Sequence, residues 1–111
     1  MPVLKRHSDF LRIKDEGSRF SPCSWFFVGF LKNEKSTGRF GWTISRKVGS
    51  AVVRNKLKRW CRTIVREYKG VNKSFDINIV FRAKNEEFYK KVSFNEFKQA
   101  LSRGLDHIFT N

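Results

Sequence analysis

The segment from Ala51 to Lys69 constrains the fold most, because its apolar residues recur at helical spacing and many of the others are basic. The apolar positions are Val53, Leu57, Trp60, Cys61, Ile64 and Tyr68. At about 100° per residue they cover about a third of a helix circumference. The other side carries Arg54, Asn55, Lys58, Arg59, Arg62 and Arg66. We therefore predict a long amphipathic helix with one side in the core and a cationic side at the surface.

Three segments have the composition and alternation of β-strands. Ser24–Leu31 is rich in aromatic residues, and Arg39–Arg46 alternates large apolar residues with smaller or polar ones. The polar segment Lys32–Gly38 between them is predicted to be a turn, so that the two strands pair as an antiparallel hairpin. Phe75–Phe81 also alternates and is predicted to be a third strand.

Two further helices are predicted near the ends of the chain. Ser8–Glu16 has a capping residue at its start and is followed by Gly17, which favours a helix end. Near the other end, Ser93 followed by Glu96 forms a capping-box pattern, and apolar residues continue at helical spacing to Ile108. The predicted order is α-β-β-α-β-α. It indicates an α+β protein, an α/β sandwich in which helices pack on a small sheet, with residues 1–111 as a single domain.

The charge of the chain is its most unusual compositional feature. There are 24 Lys and Arg residues against 10 Asp and Glu, a formal net charge of +14 at pH 7. Such self-repulsion is relieved by a polyanion, and nucleic acid fits better than an anionic membrane. No apolar run approaches the about 20 residues of a spanning helix, and no signal-peptide core is visible. We expect a cytoplasmic protein with no membrane partner, in which Cys23 and Cys61 stay reduced.

The sequence contains no recognisable catalytic motif. His7 and His107 lie near opposite ends without an evident nucleophile or carboxylate partner. Asp9, Asp15 and Glu16 are close enough in sequence to suggest a Mg²⁺ site, but acids on a short helix more often complement its dipole. We therefore expect no catalytic residue and no metal site in the protein itself.

Two regions have the chemistry of RNA contact. Ser45, Arg46 and Lys47 join the end of the second predicted strand to the start of the long helix, a corner that favours anions. The aromatic strand places Trp25, Phe27 and Gly29 on one side and Phe26, Val28 and Phe30 on the other. One side must cover the long helix. The other could form the wall of a groove shared with Phe10, where aromatic rings stack on unpaired bases, although a place in the core is favoured for any single aromatic residue.

Charge alone leaves three kinds of protein open: an accessory subunit of a ribozyme, a ribosomal or other structured-RNA-binding protein without a role in cleavage, and a metal-dependent nuclease. The motif around the long helix separates the first two. Arg54-Asn55-Lys56 with further basic residues, preceded by Gly41 and by Ser45-Arg46-Lys47, resembles the signature of the bacterial ribonuclease P protein family. The resemblance extends over about residues 8–109.

The resemblance implies a fold like the second domain of a small-subunit ribosomal protein, with a left-handed β-α-β crossover. It implies two RNA partners, the catalytic ribonuclease P RNA and precursor tRNA, with one protein per RNA. In that enzyme the RNA holds Mg²⁺ and cleaves the phosphodiester bond that frees the mature 5′ end. The protein assists by binding the unpaired 5′ leader.

The family's binding residues are carried over as follows. Contacts with the catalytic RNA are assigned to Arg54, Asn55, Lys56, Lys58, Arg59 and Arg62, with Ser45, Arg46 and Lys47 beside them. The leader groove is assigned to Phe10, Lys14, Phe26 and Val28. Lys56 stands where Arg is usual, which keeps the charge but loses a bidentate fork. Lys14 stands where a second groove aromatic is common, so a phosphate contact is expected there instead of stacking.

Overall fold

The structure is a computed structural model that describes residues 2–71, 74–85 and 87–110. Its helices and strands follow each other in the order α1 His7–Glu16, β1 Ser18–Phe20, β2 Phe26–Lys32, β3 Arg39–Thr43, α2 Ala51–Glu67, β4 Phe75–Phe81, α3 Phe88–Lys91 and α4 Phe94–Thr110. A short 3₁₀ helix, Arg46–Val48, precedes α2. The α+β prediction is confirmed, with β1 and α3 added to the predicted elements.

The four strands form one mixed sheet in the order β1-β2-β4-β3. β2 is antiparallel to both β1 and β4, whereas β3 is parallel to β4. The predicted hairpin of Ser24–Leu31 with Arg39–Arg46 is therefore wrong, because β4 lies between these two strands. β4 is buried over most of its length, since helices cover both faces of the sheet at its centre. The chain passes from β3 to the parallel strand β4 through α2, which makes a β-α-β unit.

The local predictions of element limits were mostly accurate. β4 covers the predicted residues, and the Ser50 side chain caps α2 by accepting a hydrogen bond from the Val53 amide at 3.4 Å. Ser93 likewise accepts from the Glu96 amide at 3.1 Å at the start of α4. β1 and α3 were missed because elements of three and four residues are too short to show a period.

The two faces of the sheet have different roles. On one face, Phe26 packs against Phe97 of α4, and Val28 lies beside Gly104 of the same helix. On the other face, Gly29 lies under Ile13 of α1. Successive residues of a strand point to opposite faces, so α4 and α1 cover opposite sides of the sheet. The main core lies on the α2 and α4 side, and the α1 side is only partly covered.

Candidate nucleic-acid interface

Helix α2 is positioned by its apolar side. Its buried residues are Val53, Leu57, Cys61, Ile64 and Val65. Burial also raises the pKa of the Cys61 thiol, so that this group stays protonated and unreactive. With one side fixed in the core, the opposite side of α2 is held at the surface in a defined orientation.

The exposed side of α2 forms a basic ridge, which we define as Asn55, Arg59, Arg62 and Arg66. At 3.6 residues per turn these four positions fall within about 60° of one another. Arg62 also lies with its guanidinium 4.8 Å from the Trp42 ring centroid, which orients it towards β3. Within the described parts of the chain, no carboxylate forms an ion pair with any of the three arginines. The charge of the ridge is thus left for an external anion.

The predicted residues on the flanks of the ridge are partly buried. Arg54 donates from Nε to the Gly49 carbonyl at 3.2 Å, which fixes the turn before α2. Lys58 is half-buried. Both carry their charge at the border between the core and the ridge.

Lys56 lies on the other flank and has partners inside the protein. Its Nζ donates to the Tyr89 carbonyl at 2.7 Å and lies 4.9 Å from the Trp60 ring centroid. Burial, and then the charge of Arg59, lower the pKa of Lys56. Lys56 therefore ties α2 to α3. Its role differs from that of the ridge arginines, although the sequence motif groups them together.

The corner of Ser45, Arg46 and Lys47 lies immediately before α2, as predicted. All three residues are exposed, whereas Val48 is buried and anchors the short 3₁₀ helix to the core. The Val48 amide donates to the Ser45 carbonyl at 3.1 Å, which closes the turn. The corner follows β3, so it joins one edge of the sheet to the basic ridge.

A groove of about 530 Å³ lies between α1 and the sheet. Its lining residues are His7, Phe10, Leu11, Ile13, Lys14, Gly17, Ser18, Arg19, Phe27, Gly29, Thr43, Asn78 and Val80. The floor contains a polar pair, in which the Thr43 hydroxyl and the Asn78 side chain lie 3.0 Å apart. The groove thus combines aromatic, cationic and hydrogen-bonding groups, as contact with unpaired nucleotides requires.

Two of the four predicted groove residues are in the groove. Phe10 and Lys14 line it, but Phe26 and Val28 do not: both side chains are 0% exposed and lie in the core. The prediction is wrong for Phe26 and Val28, because the side of β2 that carries them packs against α4 rather than α1. Trp25 precedes the strand, which begins at Phe26, and its ring turns into the core against Phe97.

Helix α1 approaches the sheet closely because glycines lie beneath it. A Cβ at position 41 would lie 2.7 Å from the Cζ of Phe10, and one at position 29 would lie 3.0 Å from the Cγ2 of Ile13. Gly41 therefore makes room for the Phe10 ring at the edge of the groove, and Gly29 does the same for Ile13.

An ion-pair network holds α1 against the sheet. Arg39 makes two hydrogen bonds with Asp76, Nε to Oδ1 at 2.9 Å and Nη2 to Oδ2 at 2.6 Å. The Arg39 guanidinium also reaches Asp9 of α1 at 3.4 Å. The Asp76 residue is only 2% exposed, and Asn33 donates to it at 2.7 Å. The hydrogen bond with Asp76 is the main reason why the pKa of Arg39 is raised, although burial acts in the opposite direction.

Two of the three acidic residues of α1 form ion pairs. Asp9 pairs with Arg39, and Glu16 pairs with Arg12 at 3.5 Å. Over the described ranges, no group of three His, Cys, Asp or Glu side chains is arranged to hold a metal ion. In the same part of the chain, no helix has the length and apolar character needed to cross a membrane.

A family model described as Ribonuclease P matches residues 2–108 of the chain. The chain belongs to the ribonuclease P protein family. A ribonuclease P protein component from Thermotoga petrophila is 44% identical over 106 residues, which cover 95% of this chain and 90% of the relative.

Solved structures of the family have the same fold. The ribonuclease P protein from Thermotoga maritima superposes with a TM-score of 0.84 at 37% identity, over 96% of this chain and 97% of that one. The protein from Staphylococcus aureus gives a TM-score of 0.83 at 27% identity, over 97% and 95% of the two chains. The mixed sheet, with β4 between β2 and β3, thus belongs to a fold seen in solved ribonuclease P proteins.

Several groove and ridge residues of this ribonuclease P family member were not among the predicted site residues. Arg66 lies on the ridge, and Arg19, Phe27 and Thr43 line the groove. A signal for the groove face was present in β4, where polar Asp76 and Asn78 alternate with apolar residues. Polar residues that share one face of a central strand indicate the face that is less completely covered.

Proposed function

We propose that this chain is the protein subunit of a ribonuclease P ribonucleoprotein and assists removal of the 5′ leader from precursor tRNA. The basic ridge, the flank with Arg54 and Lys58, and the Ser45–Lys47 corner bind the catalytic RNA, one protein per RNA. The groove binds the unpaired leader. The RNA holds most of the Mg²⁺ and breaks the phosphodiester bond, so the protein contributes binding and charge neutralisation.

The basic ridge carries this proposal. Its three arginines share one exposed side of α2 and make no ion pair in the described structure. Repulsion among like charges on one helix side is unfavourable, and a phosphate backbone relieves it while releasing counterions. Because the chain belongs to the ribonuclease P protein family, we take this polyanion to be the ribonuclease P RNA.

The groove and the Ser45–Lys47 corner lie next to each other. Thr43 lines the groove and ends β3, and the Ser45–Lys47 corner begins two residues later. An RNA strand leaving the groove over β3 therefore meets the corner and then the N-terminus of α2. This path brings the leader close to the surface assigned to the catalytic RNA.

Reconstitution tests the proposal. Purified protein, a bacterial ribonuclease P RNA and precursor tRNA are combined in pairs and together, at Mg²⁺ concentrations too low for the RNA alone. We expect cleavage only in the complete mixture, at the mature 5′ end. Cleavage by protein without ribozyme would instead make the protein a nuclease. Binding to the ribozyme without any gain in cleavage would leave a structured-RNA-binding protein.

The groove is tested by Phe10→Leu, which keeps apolar volume beside Gly41 but removes the ring. We expect the assembled ribonucleoprotein to lose about five- to 100-fold in affinity for precursor tRNA, the range that stacking on one base contributes. Mature tRNA without a leader is expected to bind as before. Phe10→Tyr, which keeps a ring, is the matched control. An equal loss for tRNA with and without a leader would contradict the assignment.

A further inference from the structure

Trp42 is a partly exposed aromatic residue of β3 on the face of the sheet away from the groove. Its register partner in β4 is Ile79, which in turn pairs with Val28 of β2, a residue beside α4. The preceding residue, Gly41, lies under α1 instead. Because successive residues of a strand point to opposite faces, the Trp42 ring lies on the side of α2 and α4.

The outer side of β3 is open beside Trp42. β3 is the last strand of the sheet, and the N-terminal segment pairs with it through the bridge of Val3 with Phe40. In the described residues, no second bridge on this side reaches Trp42, and the chain enters α1 at His7. The ring therefore packs against the core on one side and keeps an exposed edge.

Arg62 of the basic ridge lies over the Trp42 ring. Its guanidinium carbon is 4.8 Å from the ring centroid, the geometry of a cation–π contact. Arg62 is itself exposed, and none of the described carboxylates pairs with it. Trp42 thus holds one guanidinium of the ridge in place, and the exposed side of that group is left for a ligand.

A guanidinium held over an aromatic ring can contact RNA in two ways at once. Its plane stacks on an unpaired base, while its N–H groups donate to phosphate oxygens. A phosphate contact alone needs only the charge. Arg59 and Arg66 supply such charges, and in the described part of the chain neither lies over an aromatic ring. The ring beneath Arg62 therefore favours a base as its ligand.

We propose that Trp42 and Arg62 form a stacking site for one unpaired base of the catalytic RNA. The base stacks on the exposed side of the Arg62 guanidinium, and Trp42 is the positioning residue that holds this group. The catalytic RNA supplies the base, because the site belongs to the ridge and lies on the opposite face from the groove. This inference rests on the proposed function and adds a base contact to a surface otherwise assigned to phosphates.

Arg62→Lys tests the stacking, because it keeps the charge and removes the plane. We expect affinity for a bacterial ribonuclease P RNA, measured without tRNA, to fall about five- to 100-fold, the range for stacking on one base. The slope of log affinity against log salt concentration should stay the same, since the phosphate contact remains. Arg66→Lys is the matched exchange at a ridge position without a ring, and it should cause a smaller loss. An equal loss from both exchanges would overturn the stacking site.

Trp42→Leu tests the positioning role, because it removes the ring and leaves the arginine. We expect RNA affinity to fall about two- to fivefold, which is what an exposed cation–π contact contributes, again with an unchanged salt slope. Trp42→Phe keeps a ring and should recover most of this loss. If Trp42→Leu only lowered the free energy of unfolding, with full RNA affinity in the folded protein, Trp42 would be a structural residue and the positioning role would be refuted.

Mapping of missing bases identifies the source of the contacted base. Ribonuclease P RNA from which single bases have been removed at random is separated into protein-bound and free fractions, and the missing positions are mapped in each. Wild-type protein should reject RNA that lacks one particular unpaired base, whereas Arg62→Lys should not distinguish it. The same experiment on the leader of precursor tRNA, with the assembled ribonucleoprotein, should give identical maps for both proteins.

Identical maps on the ribonuclease P RNA, or a difference confined to the leader, would overturn the stacking site while the proposed function stands. Failure of the wild-type protein to bind the ribonuclease P RNA at all would overturn both.

Discussion

Replacing Arg59 and Arg62 together by Gln is expected to weaken assembly with the catalytic RNA by about 100-fold at moderate salt, since each charged contact contributes about 1.5 kcal/mol. Both side chains are exposed on the basic ridge and lack a carboxylate partner in the described residues. The slope of log affinity against log salt concentration should fall by about two, or about 0.9 per lost phosphate contact. Titrations of the RNA at several salt concentrations measure both quantities.

Lys56→Met provides a matched comparison within the same helix. The Lys56 ammonium donates to the Tyr89 carbonyl, so its loss should lower the free energy of unfolding by about 1–2 kcal/mol. The salt slope should change much less than in the arginine variant. A salt slope that is unchanged in the arginine variant would show that the ridge does not face phosphate. If the salt slope of Lys56→Met falls by a full unit, Lys56 is one of the RNA contacts.

Asp76→Ala is expected to lower the free energy of unfolding by about 3–5 kcal/mol, the usual cost of removing one partner of a buried ion pair. Asp76 accepts two hydrogen bonds from Arg39 and one from Asn33. Without the carboxylate, the Arg39 guanidinium keeps only the longer contact with Asp9. Urea unfolding followed by circular dichroism measures the change.

A second substitution separates the charge effect from a cavity effect. Arg39→Met in the Asp76→Ala background removes the unpaired cation and should recover part of the lost stability. No recovery would mean that the loss comes from packing around β4. Because Arg39 links Asp9 of α1 to β4, Asp76→Ala should also loosen α1 and weaken leader binding.

The local elements were predictable because each depends on neighbouring residues. The Ser93 cap of α4, the apolar side of α2 and the alternation in β4 each depend on a short stretch of sequence, and the structure places them as predicted. The strand pairing was not predictable in this way. A polar turn between two strands favours a hairpin, yet the β-α-β connection through α2 places β4 between them.

The basic ridge and the α+β class were determined by the sequence itself, because helical periodicity fixes which residues share one side of a helix. The groove was decided only by the tertiary structure. Alternation in β2 defines two sets of side chains, but not which set meets the core. That choice came from α4, whose Phe97 packs on Phe26, and from Gly29 and Gly41, which admit α1 onto the other face. Phe27, rather than Phe26 and Val28, therefore faces the groove.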